Sequence, residues 1–147
     1  MARRGRVSDL GFRLLSAFHR GVLSVFRWRV AGRIAGMPIV ELRTVGRRTG
    51  APRTVVLSAP IDEPGRLVFV ASRGGDDRHP DWYRNLLADP RVTVIRGGTR
   101  SAMLARTATA EERAELWPRV VAAYGGYADY QRRTTREIPL VICEART

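Results

Sequence analysis

Apolar and polar positions follow a helical period at the start of the chain and a strand period over most of the rest. At about 100° per residue, Arg13, Ser16, Arg20, Ser24 and Arg27 fall on one face of residues 10–30. Leu10, Leu14, Leu15, Phe18, Val22, Val25, Phe26 and Trp28 cover the other. The pattern predicts an amphipathic helix with a basic polar face. Such a helix suits an anionic membrane surface. It equally suits packing on its own domain, with the arginines in water. Arg13, His19, Arg20, Arg27 and Arg29 break every window long enough to span a bilayer, so no membrane span is expected here. No clean apolar stretch precedes a small-residue cleavage site, so no secretory signal is expected either.

Residues 32–38 read as a linker. Residues 39–45 and 53–59 read as strands joined by the loop Gly46-Arg47-Arg48-Thr49-Gly50, a hairpin. Residues 61–65 carry turn chemistry, and the short apolar run 67–72 reads as a buried strand. After Gly74-Gly75-Asp76-Asp77, Pro80 stands at the first position of a helix carrying Trp82, Tyr83, Leu86 and Leu87, which stops at Asp89-Pro90. Strands over 92–96 and 100–107 flank Gly97-Gly98-Thr99. Thr109 and Glu112 form a capping-box pattern for a helix reaching about Tyr124. Gly125-Gly126 separates it from a shorter helix over 127–133, and 138–144 is a final strand. Consecutive strands with short turns predict an α+β fold: about six antiparallel strands curled into a barrel, with four helices. Residues 1–37 are then the amphipathic helix and linker, and 38–147 the sheet domain.

Composition narrows the chemistry. With 147 residues and 44% hydrophobic positions, the chain supports one folded domain. All 26 basic residues are arginine, which excludes a nucleophilic or Schiff-base lysine. Eight arginines against Asp9 give residues 1–34 a net charge of +7, and 18 arginines against 13 acids give residues 35–147 a net +5. Arginine grips phosphate or carboxylate with a fork of donors, so an anionic partner is expected for each part. The arginines lie in loops and on one helix face without a DNA-reading motif, so no nucleic-acid partner is expected. A lone cysteine, Cys143, and two distant histidines, His19 and His79, predict neither a disulfide framework nor a metal site. Cys143 reads as packing in a buried strand.

Four constellations could carry chemistry. The loop 46–50 and Arg53 offer a tight turn and charge-assisted donors for phosphate or carboxylate, without the lysine of a P-loop. A solvated hairpin would use the same residues. Ala71-Ser72-Arg73-Gly74-Gly75 ends a strand in a hydroxyl and a cation, suited to a flat heterocycle and an anion, or to an ordinary strand exit. His79-Pro80-Asp81-Trp82-Tyr83-Arg84-Asn85-Leu86 opens a helix with two aromatic rings that could wall a ligand or simply pack on the core; a helix start also attracts negative charge. Tyr124, Tyr127 and Tyr130, three apart, share a helix face and precede Arg132, Arg133 and Arg136. Three phenols exceed what a core needs and could stack on an aromatic ligand, with Gly125-Gly126 letting the face move as a lid.

In this order and spacing, Gly46–Arg53, Ala71–Gly75, His79–Leu86, Tyr124 to Gln131 and Ile138-Pro139-Leu140-Val141 resemble the deazaflavin-dependent nitroreductase family of actinobacteria, over roughly residues 38–145. The resemblance implies a split β-barrel related to FMN-binding proteins, the deazaflavin coenzyme F-420 as cofactor, and hydride transfer from its reduced form to a quinone, nitroaromatic or similar unsaturated acceptor. It implies that Arg47, Arg48 and Thr49 hold the cofactor's phosphate and polyglutamate region, with Arg53, Thr54, Val55, Val56, Leu57 and Ser58 lining it. Ala71, Ser72 and Arg73 would contact the deazaflavin, and Asp81, Trp82, Tyr83, Arg84 and Asn85 would bind from the helix start. Tyr127 would lie over the ring system, with Tyr124 and Tyr130 shaping the acceptor pocket; Ser72 and Tyr127 would orient the acceptor or supply a proton. Arg73 stands where lysine is frequent in the family, and Gly125-Gly126 where some relatives have proline and serine. A membrane-associated amino-terminal segment, known for some members, implies a cytoplasmic protein peripheral to the inner face of the membrane. An FMN-binding barrel and a non-catalytic F-420 carrier are the alternative readings.

Overall fold

The structure, a computed structural model, describes residues 33–146. The amphipathic segment 10–30 lies outside the described residues. Eight strands form one antiparallel sheet: β1 (Arg33–Ile34), β2 (Met37–Val45), β3 (Pro52–Ser58), β4 (Ile61–Glu63), β5 (Arg66–Val70), β6 (Arg91–Arg96), β7 (Thr99–Thr107) and β8 (Leu140–Ala145). Their order is β1-β2-β6-β7-β8-β5-β4, with β3 paired to β2. The described helices are α1 (Asp81–Ala88), α2 (Ala110–Ala123) and α3 (Gly126–Arg132). The sheet curls as the split β-barrel expected from the sequence.

Period-2 alternation divides the core. Val40 and Leu42 of β2, Phe69 of β5 and Val141 and Cys143 of β8 pack with Trp82, Tyr83 and Leu86 of α1. Their strand neighbours Val68, Val70, Leu140 and Ile142 point the other way and pack with Leu116 and Val120 of α2 and Tyr127 of α3. Strands β5 and β8 are therefore covered on both faces, which is why they read as unbroken apolar runs. Burying a side chain the size of Phe69 contributes roughly 1.5–3 kcal/mol.

Four expectations are corrected. The count of about six strands becomes eight. Residues 61–65, read as a turn, hold β4, which pairs Ile61 with Val68 and turns at Pro64-Gly65. Residues 32–38, read as a linker, hold β1, pairing Arg33 with Pro38. Strands of two and three residues are too short to carry a period of their own; pairing with a longer neighbour makes them. Pro80 is the residue before α1 rather than its first: its ψ of 150° is extended, and helical geometry begins at Asp81.

Candidate functional site

The β2–β3 hairpin and α1 make one cleft. Gly46 and Gly50 close the loop through Gly46 N–H to Ala51 O at 2.8 Å and Gly50 N–H to Gly46 O at 2.7 Å. A Cβ on Gly46 would stand 2.9 Å from Ala51 O, so the tight closure requires glycine. The loop is then tied to the helix. The backbone N–H and Nη1 of Arg47 donate to Asn85 Oδ1 at 3.2 and 2.9 Å, and its Nη2 donates to Asp81 Oδ1 at 3.2 Å. On its other side, Asn85 Nδ2 donates to Thr44 Oγ1 at 3.1 Å. Asn85 and Thr44 are both buried.

The resulting cleft holds about 410 Å³. Arg47, Arg48 and Thr49 form its loop wall, Arg53, Thr54 and Val55 its strand wall, and Asp81, Trp82 and Asn85 its helix wall. Arg48 and Arg53 are exposed and make no ion pair among the described residues. Two unneutralised guanidiniums beside Trp82 and Val55 are a donor set for an elongated ligand with an acidic arm and an apolar part.

The other sequence candidates are placed differently. Val56, Leu57 and Ser58, farther along β3 from the loop, are absent from the cleft lining; Leu57 packs with Val55 toward the first core and Val56 is exposed. Tyr83 is buried outside the cleft lining, and its hydroxyl bonds Thr107 Oγ1 at 2.8 Å. Arg84 is exposed outside the cleft lining. Ala71 is fully buried and Ser72 nearly so, at the exit of β5.

That exit forms a second cluster with α3. A 3₁₀ turn over Arg73–Gly75 follows Ser72, with Arg73 at φ +46°, unusual for a non-glycine. A Cβ on Gly75 would meet Tyr130 O at 2.9 Å, so glycine lets α3 lie directly on the turn. Arg133 Nη1 donates to Gly74 O at 3.3 Å. The three tyrosines form a triangle: ring centroids are 5.2 Å apart for Tyr124–Tyr127, 6.1 Å for Tyr127–Tyr130 and 6.4 Å for Tyr124–Tyr130. Tyr124 is exposed, Tyr130 half-buried and Tyr127 buried in the second core, where its hydroxyl donates to Met37 Sδ at 3.7 Å. Burial pushes the Tyr127 phenol up to about 12, with Tyr130 and Tyr124 adding to the effect. The Tyr124 ring lies over Gly126, where a Cβ would come within 2.4 Å of it.

Sequence reasoning passed over Thr44 and gave His79 and Arg136 no role of their own. Thr44 had a signal: it continues the inward series Val40, Leu42, Thr44, where a polar side chain needs a partner. Arg136 and His79, which bond each other at 3.0 Å beside the turn, had none.

Comparison with known proteins identifies the family. The family model described as F-420H(2)-dependent quinone reductase matches residues 19–145. An F-420H(2)-dependent quinone reductase of Mycobacterium tuberculosis is 38% identical over 138 residues, covering 91% of this chain and 89% of that protein. Among solved structures, an F-420H(2)-dependent reductase, FDR-A, superposes with a TM-score of 0.66 at 42% identity, covering 73% of this chain and 94% of that one. A FAD-binding protein of Mesorhizobium loti, 11% identical with a TM-score of 0.53 over 74% of this chain and 79% of that one, shares the fold alone. A family match over nearly all the described residues, on a split barrel whose hairpin and helix build a cationic cleft, makes this chain a member of the F-420H(2)-dependent quinone reductase family.

Proposed function

We propose that the protein transfers a hydride from reduced F-420 to a quinone. The observation that supports this reading best is the cleft itself, where Arg48 and Arg53 lack carboxylate partners beside the Trp82 ring. That donor set fits a cofactor with a phosphodiester, an acidic tail and a flat ring system. When bound, reduced F-420 supplies the hydride; the protein's part is binding, orientation and proton handling. Arg48 and Arg53 hold the acidic arm by charge-assisted hydrogen bonds. Arg47 is already engaged by Asn85 and Asp81, so it fixes the loop and lends its remaining N–H groups. Thr49 is free to donate through its hydroxyl, since its oxygen accepts from Ala51 N–H at 3.2 Å.

Ser72 and the tyrosines are assigned to the acceptor. Ser72 lies just beyond β5, at the start of the turn on which α3 lies, so its hydroxyl and the phenols of Tyr124 and Tyr130 are assigned to one bound quinone. Reduction to a hydroquinone consumes one hydride and one proton, the proton reaching the quinone oxygen from water or a phenol. A nitro compound would accept through the same groups. Asp81 ties the loop wall to the helix wall through Arg47, and Tyr83 packs α1 onto the core behind the cleft. Among the described residues no helix is long and apolar enough to cross a membrane. The basic amphipathic pattern of residues 10–30 supports peripheral docking on an anionic membrane, where a lipid-soluble quinone would be met.

The test is a titration with F-420 and FMN side by side, followed by reduced F-420 with menadione. Cofactor oxidation dependent on menadione is expected. Neutralising Arg47, Arg48 and Arg53 together should weaken F-420 binding by at least about 100-fold, roughly 1.5 kcal/mol for each lost charged hydrogen bond less some overlap. Unaltered affinity in that variant refutes the cleft assignment. Preference for FMN, or F-420 binding without turnover, refutes the quinone reductase reading.

A further inference from the structure

Arg136 lies between α3 and β8, and its guanidinium is committed entirely to one other segment. Nε donates to Asp76 O at 2.9 Å. Nη1 bonds His79 Nδ1 at 3.0 Å. Nη2 donates to Ala71 O and to Ser72 O, each at 3.1 Å. No carboxylate pairs with it among the described residues. A half-buried cation held by neutral acceptors alone is an uncommon use of arginine, because desolvating it costs more than neutral bonds usually return. The planar fork matches these acceptors, since its donors diverge at fixed angles and reach a strand end, a loop and a ring together. A guanidinium only donates, so His79 must accept through Nδ1 and carry its proton on Nε2.

The clamp is itself fixed on the α3 side. Gln131 Nε2 donates to Arg136 O at 2.8 Å. Gln131 Oε1 accepts from Ile138 N–H at 2.9 Å and from Arg113 Nη2 of α2 at 3.2 Å. Thr134 Oγ1 donates to Asp77 Oδ1 at 2.7 Å. The connection leaving the tyrosine helix and the connection leaving β5 are thus sewn together, with Arg136 in the middle. What it grips matters. Ala71 and Ser72 immediately precede Arg73, whose φ of +46° persists only where its surroundings impose it.

We propose that Arg136 is a positioning residue for the reaction: it sets the backbone of Ala71-Ser72 and the following turn, so that the Ser72 hydroxyl and the phenols of Tyr124 and Tyr130 meet the acceptor in one geometry. The proposal rests on the hydride-transfer reading above. Arg136 is absent from the lining of the cleft that holds Arg48 and Arg53. Its loss therefore acts on turnover and leaves the grip on the cofactor's acidic arm.

Arg136→Lys and Arg136→Met in the full chain test this, with F-420 affinity, kcat and KM for menadione, and amide exchange at residues 71–79 as readouts. Lysine keeps the charge but cannot span the separated acceptors. Both variants should lose roughly 10- to 100-fold in kcat, the scale of a misplacement near 1 Å, while F-420 affinity stays within about threefold. Exchange at 71–75 should quicken. Methylguanidinium added to Arg136→Ala should restore part of the lost kcat, which general destabilisation would not allow. If Arg136→Met does not fold, Arg136→Lys and the rescue decide alone. Unchanged kcat in Arg136→Lys, or affinity and kcat falling in step, overturns the proposal and leaves the functional reading standing. Wild-type protein that binds no F-420 fails that reading first and takes the proposal with it.

Discussion

Asn85 shows how one side chain can hold a binding loop to a barrel. Its amide is nearly saturated: Oδ1 accepts twice from Arg47 and Nδ2 donates to Thr44. Truncation to alanine strands a buried threonine hydroxyl and frees the loop's inner arginine. We expect Asn85→Ala to lower stability by about 3 kcal/mol in a denaturant titration and to weaken F-420 binding through the loosened loop; a loss under about 1 kcal/mol would show that the loop holds itself. Tyr127 poses a different question at the same scale. Its phenol, held near 12 by burial, is a poor proton donor at neutral pH but a serviceable hydrogen-bond donor. Because its one O–H already donates to Met37 Sδ, Tyr127→Phe should slow turnover by less than about tenfold and alter F-420 affinity less than that. A loss of roughly 1000-fold would mean the phenol acts as a true acid.

At the scale of elements, α2 begins with a device legible in advance. Thr109 Oγ1 accepts from Glu112 N–H at 3.2 Å, and Glu112 Oε1 accepts from Thr109 N–H at 3.0 Å. The same carboxylate takes two bonds from Arg106, which, with the Thr109 N–H, hold its pKa down at about 2. A depressed acid stabilises the fold above its unfolded pKa near 4.5, and that contribution fades as pH falls from there toward 2. Melting temperature followed over that range should drop in the wild type and drop less steeply in Glu112→Gln. Thr109→Ala should cost about 1 kcal/mol at neutral pH. Strands β5 and β8 were equally legible, because residues apolar on both faces leave no other place for the segment than the middle of a sheet. β1 and β4 were not, since they exist through pairing alone. The cleft was half legible. Glycines bounding two arginines marked the loop, but which of residues 53–58 line the cleft depends on how α1 meets the loop end of β3, where Val45 pairs with Pro52, and that long-range placement left no local signal. Arg136 was one arginine among 26, and its acceptors come from positions about 60 residues away.

On the scale of the whole molecule, charge is divided between two parts that need not serve one ligand. Residues 1–34 carry +7 against +5 for the much longer remainder. Within the remainder much of the positive charge is already answered: Arg106 bridges Glu112 and Glu144, Arg96 meets Asp62, and Arg91 meets Asp89. Nine of its eighteen arginines make no ion pair among the described residues, and two of these, Arg48 and Arg53, are gathered at the cleft. The amino-terminal arginines face a single acid, Asp9, in their own segment. Each basic group near an anionic bilayer contributes about 1 kcal/mol, and the effect fades beyond about 10 Å at 0.1 M salt. Removing residues 1–32, which leaves β1 in place, should abolish sedimentation with vesicles containing phosphatidylglycerol while F-420 affinity is retained. The full chain should leave the same vesicles as salt is raised, and should not bind neutral ones. Vesicle binding that survives the deletion would move the membrane surface onto the barrel; lost F-420 affinity would give the segment a part in the cofactor site.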